Sequence, residues 1–310
     1  MGTKRKEYLI HKRKEMLHSQ IFIPVNAELC SSSMIVPVPD LFTLKWKKEE
    51  DINVRTSLDK KTFGITGFAL LSSGLVLLSD CENCCVKMVN LTTRTVTSRL
   101  KLPDYTWGMC VLPGDQAAVT FPNISMIQLM STTGGQFSCG KVIEASSGCC
   151  GIAYNNNRLY VSYTLNPPVE VMTLDGHIIS ALQTNDGKQL FKCLRYLIMS
   201  ASTPPTLYVS DQNAHTVIQL SLDGKSLPEY NNKKLEHPQS VVAVDPGQLI
   251  VCGHNSHNVL LLTEGDGKMA EILGQKDGLT TPYSVSFCPY KRALVVGMYK
   301  HDSLNVFYAN

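Results

Sequence analysis

The chain has 310 residues, of which 44% are hydrophobic, and a formal net charge of +3. This length allows one large β domain or two ordinary domains, and the near-neutral charge gives no bulk signal for binding to nucleic acid or a membrane surface. No apolar run approaches a membrane span, and no secretory apolar core follows the basic residues Lys4-Arg5-Lys6. We therefore expect a cytoplasmic protein. A nuclear location is the alternative, because basic residues recur at positions 12–14.

The 11 cysteines are predicted to be reduced, because their number is odd and many lie in apolar runs. One C-x-x-C occurs, in residues 81–85, and a structural zinc site would need a second pair. The only other cluster, Cys149-Cys150, lies in a predicted strand, where adjacent side chains point to opposite faces. We expect no metal site and no other cofactor.

Residues 1–50 are predicted to form a basic N-terminal extension and linker. Leu9-Ile10 and Met16-Leu17 recur seven positions apart, as in a helical heptad, but two copies are too few for a coiled coil. A solvated charged helix or an irregular terminus is the favoured interpretation of residues 3–20. Residues 51–58 follow, with Ile52, Val54 and Thr56 alternating with polar neighbours as in a strand.

From residue 59 onwards a similar segment recurs, and its clearest copy is YVSDQNAHTVIQLSLDG at residues 208–224. It reads as two strands joined by a polar turn, with a hairpin signal at Asp223-Gly224. The copies align on an apolar residue that recurs at intervals of 41 to 48 residues, at Val86, Ile127, Val169, Val217, Val259 and Leu304. A period in the forties with only strand signals is typical of β-propeller blades.

We predict an all-β fold, a single six-bladed β-propeller over residues 51–310. Each unit begins with a short apolar run that does not alternate, as expected for an inner strand buried on both sides. The last unit is incomplete, because only six residues follow Leu304. We therefore predict that residues 51–58 supply its missing strand and close the ring, which removes two exposed sheet edges.

The amino acids of two copies follow a pattern that resembles a known repeat family. Tyr208-Val209-Ser210-Asp211, His215 and Val217 fit best, followed by Leu78-Ser79-Asp80, Asn83 and Val86. The other four copies replace the aspartate, by Phe121, Tyr163, Gly253 and Met298. The pattern resembles NHL repeats, and most of all the carboxy-terminal propellers of tripartite-motif proteins, in which a RING, a B-box and a coiled coil lie upstream. The resemblance implies recognition of a protein or a structured RNA. This chain has no RING or B-box cysteine/histidine array, so ligase activity is not carried over to it.

One face of such a ring carries the loops within each blade between its second and third strands, together with the loops that link blades. We expect the binding residues on this face, namely Tyr105, Trp107, Tyr163, His215, Lys233, Lys234, His254, His257, Tyr299 and His301. The charges of these loops nearly cancel, whereas a phosphate-tracking surface needs a cationic excess. A protein partner is therefore favoured, and RNA binding around Lys233 and Lys234 is the alternative. The histidine spacing is not a known zinc pattern.

An enzyme is the remaining alternative, because six-bladed propellers also house metal-dependent lactonases. Those sites need acidic residues from several blades directed at the axis. Here only Asp80 and Asp211 end strands of the repeat, and no nucleophile elbow or phosphate loop occurs. We expect a non-catalytic, monomeric propeller that binds a protein partner and no membrane.

Overall fold

The structure, a computed structural model, describes residues 41–71, 73–164, 169–182, 191–200, 202, 204–223, 225–244 and 247–309. Its strands form six antiparallel sheets, and each inner strand packs against that of the next blade, the last against the first. The predicted all-β, six-bladed propeller is confirmed. The N-terminal extension lies outside the described residues up to position 40. Within the described part of the chain, no helix has the length and hydropathy of a membrane span.

Strands are numbered here in chain order. Two short strands precede the first complete blade: β1 (Trp46–Lys48) and β2 (Ile52–Asn53). The first three blades comprise β3 (Ile65–Leu70), β4 (Leu75–Asp80), β5 (Cys85–Asn90), β6 (Thr95–Lys101), β7 (Met109–Leu112), β8 (Gln116–Phe121), β9 (Met126–Ser131), β10 (Ser138–Glu144), β11 (Cys149–Asn155), β12 (Arg158–Tyr163), β13 (Val169–Thr173) and β14 (Ile178–Leu182). The last three comprise β15 (Leu194–Met199), β16 (Leu207–Asp211), β17 (Thr216–Leu220), β18 (Ser226–Asn231), β19 (Pro238–Val244), β20 (Gln248–Gly253), β21 (Asn258–Thr263), β22 (Met269–Leu273), β23 (Pro282–Cys288), β24 (Ala293–Met298) and β25 (Ser303–Ala309).

The N-terminal segment closes the ring, as predicted, but it begins earlier than expected. Strand β1 pairs with β25 from Trp46 opposite Ala309, and β2 pairs with the same strand through Ile52 opposite Leu304. Because β25 runs on to Ala309, its outer edge needs partners that precede residue 51. Beyond β2 the segment leaves the sheet, where the Val54 N–H donates to the carbonyl of Asp302 at 2.9 Å.

An irregularity in register recurs near the start of the inner strands. In blade 1 it falls between Ile65 and Gly67, and the inner strands β11, β15, β19 and β23 have it at the matching place. Blade 2 has the same arrangement, because the Trp107 N–H donates to Thr120 O and the Thr120 N–H donates to Gly108 O, each at 3.0 Å. Each inner strand thus carries one extra residue, a β-bulge, which redirects side chains at the upper end of the central channel.

Close approach between blades explains the glycines that follow three of these bulges, Gly67, Gly108 and Gly151. A Cβ on Gly108 would lie 2.4 Å from the carbonyl oxygen of Cys150 in the next blade. Hydroxyl groups form hydrogen bonds across the same junctions between blades: Ser79 Oγ donates to Trp107 O at 3.0 Å, and Thr120 Oγ1 donates to Cys150 O at 2.6 Å. The inner strands are therefore fixed to each other immediately below the bulges.

Candidate binding site at the channel mouth

The six bulge residues surround one end of the central channel, and we call them the mouth ring. They are Thr66, Trp107, Cys150, Arg195, Gln239 and Tyr283, one from each blade. This end opens on the face that carries the loops between second and third strands and the loops between blades, here called the upper face. The repeat fixes the position of the ring but not its chemistry, because no two of its members are alike.

Aromatic side chains from alternate blades meet on the axis and close this end of the channel. Trp107 of blade 2, Tyr196 of blade 4 and Tyr283 of blade 6 have ring centroids 6.0 to 6.4 Å apart. Tyr196 stands where blades 1 to 3 have the glycines that follow the bulge, so blade 4 adds a second large side chain. All three rings are at least nine-tenths buried. Edge-to-face and tilted contacts of this kind stabilise a rigid aromatic floor.

Two further rings and an imidazole extend this floor towards the surface. Tyr105 contacts Trp107 with centroids 5.9 Å apart, and Tyr299 stacks on Tyr283 at 5.5 Å. His254 contacts both Tyr283 and Tyr299, at 5.3 and 5.9 Å. Tyr299 is 42% exposed, so it presents an aromatic surface to a partner.

The guanidinium of Arg195 supplies a positive charge at the mouth. Its Cζ lies 4.7 Å from the centroid of the Trp107 ring, and its Nε donates to the Gln212 side-chain oxygen at 3.0 Å. Among the described residues, no carboxylate lies within 4.0 Å of its guanidinium. A cation held over an aromatic face, with a side-chain hydrogen bond to Cys150 and no carboxylate partner among the described residues, is suited to an anionic group from outside.

The other titratable groups of the mouth are neutral at pH 7. Burial raises the pKa of the Cys150 thiol to about 11, although Arg195 opposes this shift. Burial likewise raises the pKa values of the Tyr196 and Tyr283 hydroxyls above their ordinary value. At His254, burial and then the neighbouring imidazoles lower the pKa from 6.5, although hydrogen bonds to backbone carbonyls oppose them. The mouth therefore combines aromatic surface, neutral polar groups and the fixed cation of Arg195, with the Lys300 ammonium at its rim, 5.2 Å from the centroid of the Tyr299 ring.

Below the aromatic floor, a cavity of about 440 Å³ extends along the axis and is lined by all six inner strands. Phe68, Met109, Ile152, Leu197, Val241 and Val285 lie at the same level around it. Among the described residues its lining has no acidic, basic or imidazole side chain. The channel therefore lacks the converging carboxylates that a lactonase-like metal site needs.

The predicted binding residues divide into two groups. The structure brings Tyr105, Trp107, His254 and Tyr299 together at the mouth. Tyr163 is a correction: it is 3% exposed, and its hydroxyl donates to Glu170 at 2.5 Å instead of facing the surface. It ends strand β12, where side chains alternate between neighbouring blades and this one packs into the core.

The remaining predicted residues lie around the mouth. His215 and His257 share a left-handed backbone conformation, with φ of 60° and 54°. Each imidazole links to the next blade: His237 N–H donates to His215 Nδ1, and Thr281 N–H donates to His257 Nδ1, both at 2.9 Å. These are inter-blade contacts, so the two histidines act in the scaffold.

Three of the remaining predicted residues are solvent-exposed. Lys233 and Lys234 are exposed on the loop between blades 4 and 5, and the Lys234 ammonium lies 3.8 Å from the Glu271 carboxylate. His301 is exposed, and its Nδ1 accepts a hydrogen bond from the Ser303 N–H at 3.3 Å. None of the three lies in the aromatic cluster of the mouth.

Metal-ligating groups converge elsewhere, at one place in the described part of the chain. Asp59, Asp80 and Cys85 have ligand atoms within 4.8 Å of one another, but the Lys87 ammonium lies between the two carboxylates. Its Nζ is 2.6 Å from Asp59 and also donates to Val54 O at 3.0 Å. A protein cation thus balances these carboxylates, and the histidines of the upper face do not form such a group.

The two strand-end aspartates of the repeat have scaffold roles. Asp80 accepts hydrogen bonds from the backbone of Gly64 and Asn83, and Asp211 accepts them from Lys192, Cys193 and Ala214. Both are fully buried. They tie the turn after the second strand to the start of the same blade, which explains why the motif favours Asp.

Sequence reasoning missed the residues at the centre of the mouth, Arg195, Tyr196, Gln239 and Tyr283. They belong to inner strands, which were expected to be uniformly apolar core. A signal was present, because Arg, Gln and Tyr interrupt apolar runs at the same distance from the start of three units. That distance becomes informative only once the bulge is known.

The sequence matches no family model and no curated protein. Solved structures share the fold. A streptogramin B lyase aligns with a TM-score of 0.62 at 12% identity, over 88% of this chain and 100% of that one. A virginiamycin B lyase from Staphylococcus aureus aligns at 0.63 and 11%, over 85% and 99%. A protein of unknown function from Bacteroides thetaiotaomicron aligns at 0.67 and 14%, over 84% and 72%. At these identities the similarity establishes the propeller fold alone.

Proposed function

We propose that this propeller is a non-catalytic recognition module that binds a protein partner at the channel mouth. The observation that carries the proposal is the aromatic cluster of Trp107, Tyr196, Tyr283 and Tyr299 around an unneutralised arginine. Aromatic and arginine side chains dominate the binding energy of protein interfaces. Because Trp107, Tyr196 and Tyr283 are held by the inner strands, little conformational entropy is lost when a partner docks.

The chemistry of the mouth supports binding over catalysis. Catalysis would need a poised acid, base or metal site near the axis. Asp80 and Asp211 are committed to backbone hydrogen bonds, and burial raises the pKa of the Cys150 thiol. His254 is the imidazole that contacts the cluster, and no described carboxylate bonds to it to orient it as a base. Two of the structural neighbours are enzymes, so the experiments include an assay for catalytic activity.

The charge distribution supports a protein partner over RNA. Arg195 is the cation of the mouth itself, the Lys300 ammonium lies at its rim, 5.2 Å from the centroid of the Tyr299 ring, and upper-face lysines such as Lys61 and Lys234 lie within 4.0 Å of acidic side chains. A nucleic-acid surface tracks several phosphates with a stripe of unpaired cations. The NHL-like pattern at Asp80 and Asp211 is consistent with a tripartite-motif-like recognition domain, and this assignment is part of the proposal.

Affinity capture with matched variants tests the proposed function. Tyr299 and Tyr290 are both exposed tyrosines, but Tyr290 lies in the β23–β24 connection, on the opposite face. The wild-type protein, Tyr299→Ala and Tyr290→Ala would be used as baits, with captured proteins and RNA quantified by mass spectrometry and sequencing. We expect Tyr299→Ala to reduce capture of specific proteins about tenfold, as for an interface anchor, and Tyr290→Ala to leave it unchanged.

Three results would contradict the proposal. Equal losses for the two variants would place the binding surface elsewhere. Specific capture of RNA without protein would favour the alternative ligand. Turnover of ester, lactone or streptogramin substrates by the purified wild-type protein, abolished by His254→Ala, would establish catalysis at the mouth.

A further inference from the structure

We propose that Arg195 binds a carboxylate of the partner. This carboxylate belongs to an aspartate or glutamate side chain that reaches the aromatic floor from an extended segment on the upper face. This inference rests on the proposed function and names the chemistry of the ligand. It is carried by three features of the mouth: an arginine that the described residues leave unneutralised, buried polar groups without partners, and a floor that blocks passage into the channel.

The first feature is the geometry of Arg195. Its Nε is committed to Gln212, and its guanidinium plane is held against Trp107. The hydrogen bond and the stacking contact limit the rotamers of a side chain that is otherwise flexible. An arginine fixed in this way binds a carboxylate through two parallel hydrogen bonds with little further loss of entropy.

The second feature is a set of buried polar atoms with no hydrogen-bond partner. Gln239 is 1% exposed, and neither its amide nitrogen nor its oxygen is bonded; the Trp107 indole N–H and His254 Nδ1 are also unbonded. Buried polar groups are almost always paired, so these unpaired atoms of the mouth are open to hydrogen bonds from a ligand. The set offers donors and acceptors together, which matches the N–H and C=O groups of a peptide backbone.

The third feature is the aromatic floor, which limits how large a ligand group can enter the mouth and how deep it can reach. The rings of Trp107, Tyr196 and Tyr283 close the axis beneath Arg195. A single side chain can therefore enter the mouth, while the rest of the segment crosses the upper face over Tyr299. A nucleotide phosphate would find the same arginine, but beside Arg195 the described mouth offers only Lys300 at the Tyr299 ring, too few cations to follow the backbone of a nucleic acid.

A phage-displayed library of random dodecapeptides, selected on the wild-type protein, tests this inference. We expect enriched peptides to share one acidic position. For a synthetic enriched peptide, changing that Glu to Gln, or that Asp to Asn, should weaken binding to the wild type about tenfold or more, as for a charge-assisted hydrogen-bond pair. The same change should have less than a threefold effect on binding to Arg195→Gln. Arg195→Lys should bind the acidic peptide more weakly than wild type, because it keeps the charge but loses the planar fork.

The outcomes separate the inference from the proposed function. Enriched peptides that depend on Tyr299 but have no acidic position would overturn the carboxylate inference and leave peptide recognition at the mouth intact. Peptides that bind Tyr299→Ala as well as wild type would overturn both. If amidation of the peptide C-terminus removes binding while the acidic side chain is dispensable, a terminal carboxylate is the ligand and the side-chain assignment is wrong. Thermal melts of each variant establish that it is folded, and the peptide substitutions on wild type need no protein variant.

Discussion

Replacing the buried Lys87 should destabilise the propeller more than replacing any surface lysine. The Lys87 side chain is fully buried, and its ammonium lies 2.6 Å from the Asp59 carboxylate and 3.3 Å from that of Asp80. It also lies 4.1 Å from the centroid of the Phe63 ring and donates to Val54 O at 3.0 Å. Lys87 thereby joins blade 1 to the segment that follows the closing strands.

The Lys87→Met substitution keeps most of the apolar stem and removes the charge. Packing changes little, so the loss of stability reports on the two carboxylates left buried without their cation. Removing one partner of a buried ion pair costs about 3–5 kcal/mol, and we expect a decrease of this size in the free energy of unfolding. The Arg99 Nε, 3.2 Å from Asp59, compensates part of the charge and places the expected value near the lower bound.

A surface pair provides the matched control. Lys141 lies 2.6 Å from Asp175, the same distance as in the buried pair, but the two side chains are 42% and 73% exposed. Lys141→Met should therefore change the free energy of unfolding by less than about 1 kcal/mol. Urea denaturation followed by the fluorescence of the protein's two tryptophans measures both variants.

The pH dependence makes the test sharper. Burial raises the pKa of Asp80 in the wild type, and removal of Lys87, which lowers it, would raise that pKa further above its unfolded value. The folded variant would then bind a proton at Asp80 at a higher pH than the wild type does, so its deficit in the free energy of unfolding relative to wild type should shrink as the pH falls through that raised pKa. Equal losses for Lys87→Met and Lys141→Met, or a deficit that does not change with pH, would refute this reasoning.

Three further predictions concern the scaffold. Gly108→Ala should lower the melting temperature more than Gly74→Ala, because its Cβ would lie 2.4 Å from a backbone oxygen of blade 3, whereas at Gly74 the Cβ meets open space and the left-handed backbone, with φ of 78°, costs about 1–2 kcal/mol; equal shifts would show that the blades are loosely joined. Burial raises the pKa of Asp302, but hydrogen bonds from the Phe63 N–H and Arg55 outweigh it and hold that pKa below 3.8. The stability that this carboxylate contributes is therefore present near neutral pH and lost as the pH falls through that lower pKa, so the deficit of Asp302→Asn in urea titrations should shrink below about pH 4. His215→Ala should cost about 1 kcal/mol in the free energy of unfolding, because the next blade loses an acceptor, and an unchanged value would remove its inter-blade role.

The period of the repeat was enough to predict the blades. The six aligned residues, Val86 to Leu304, all lie in third strands, and the incomplete last unit predicted closure by an N-terminal segment. The start of that segment could not be predicted, because Trp46–Lys48 shows no alternation of apolar and polar residues. These residues form a strand because they pair with the free edge of β25. Local pattern therefore located the repeated strands, and tertiary pairing located the closing one.

The site was predicted only in part, for a physical reason. Tyr105, Trp107, His254 and Tyr299 were found because loops on one face of a propeller share that face. Tyr163 failed, since a residue at the end of a second strand can turn into the core as readily as outward. Arg195 was missed, because a bulge changes the direction of a side chain without a sequence signature of its own.

Packing between blades constrains the residue that follows each bulge, but it does not constrain the bulge residue at the mouth. Immediately after the bulge, three blades carry glycine and two carry serine, because the neighbouring backbone leaves little room there, while blade 4 carries Tyr196, which belongs to the aromatic floor. At the bulge itself the six blades carry six different residues, so packing between blades does not dictate their identity. A ring whose scaffold positions are restricted and whose mouth positions differ can change its ligand without loss of stability. By this reasoning, Gln239→Thr, which installs the bulge residue of blade 1 and adds no buried charge, should alter peptide selection while leaving the melting temperature nearly unchanged.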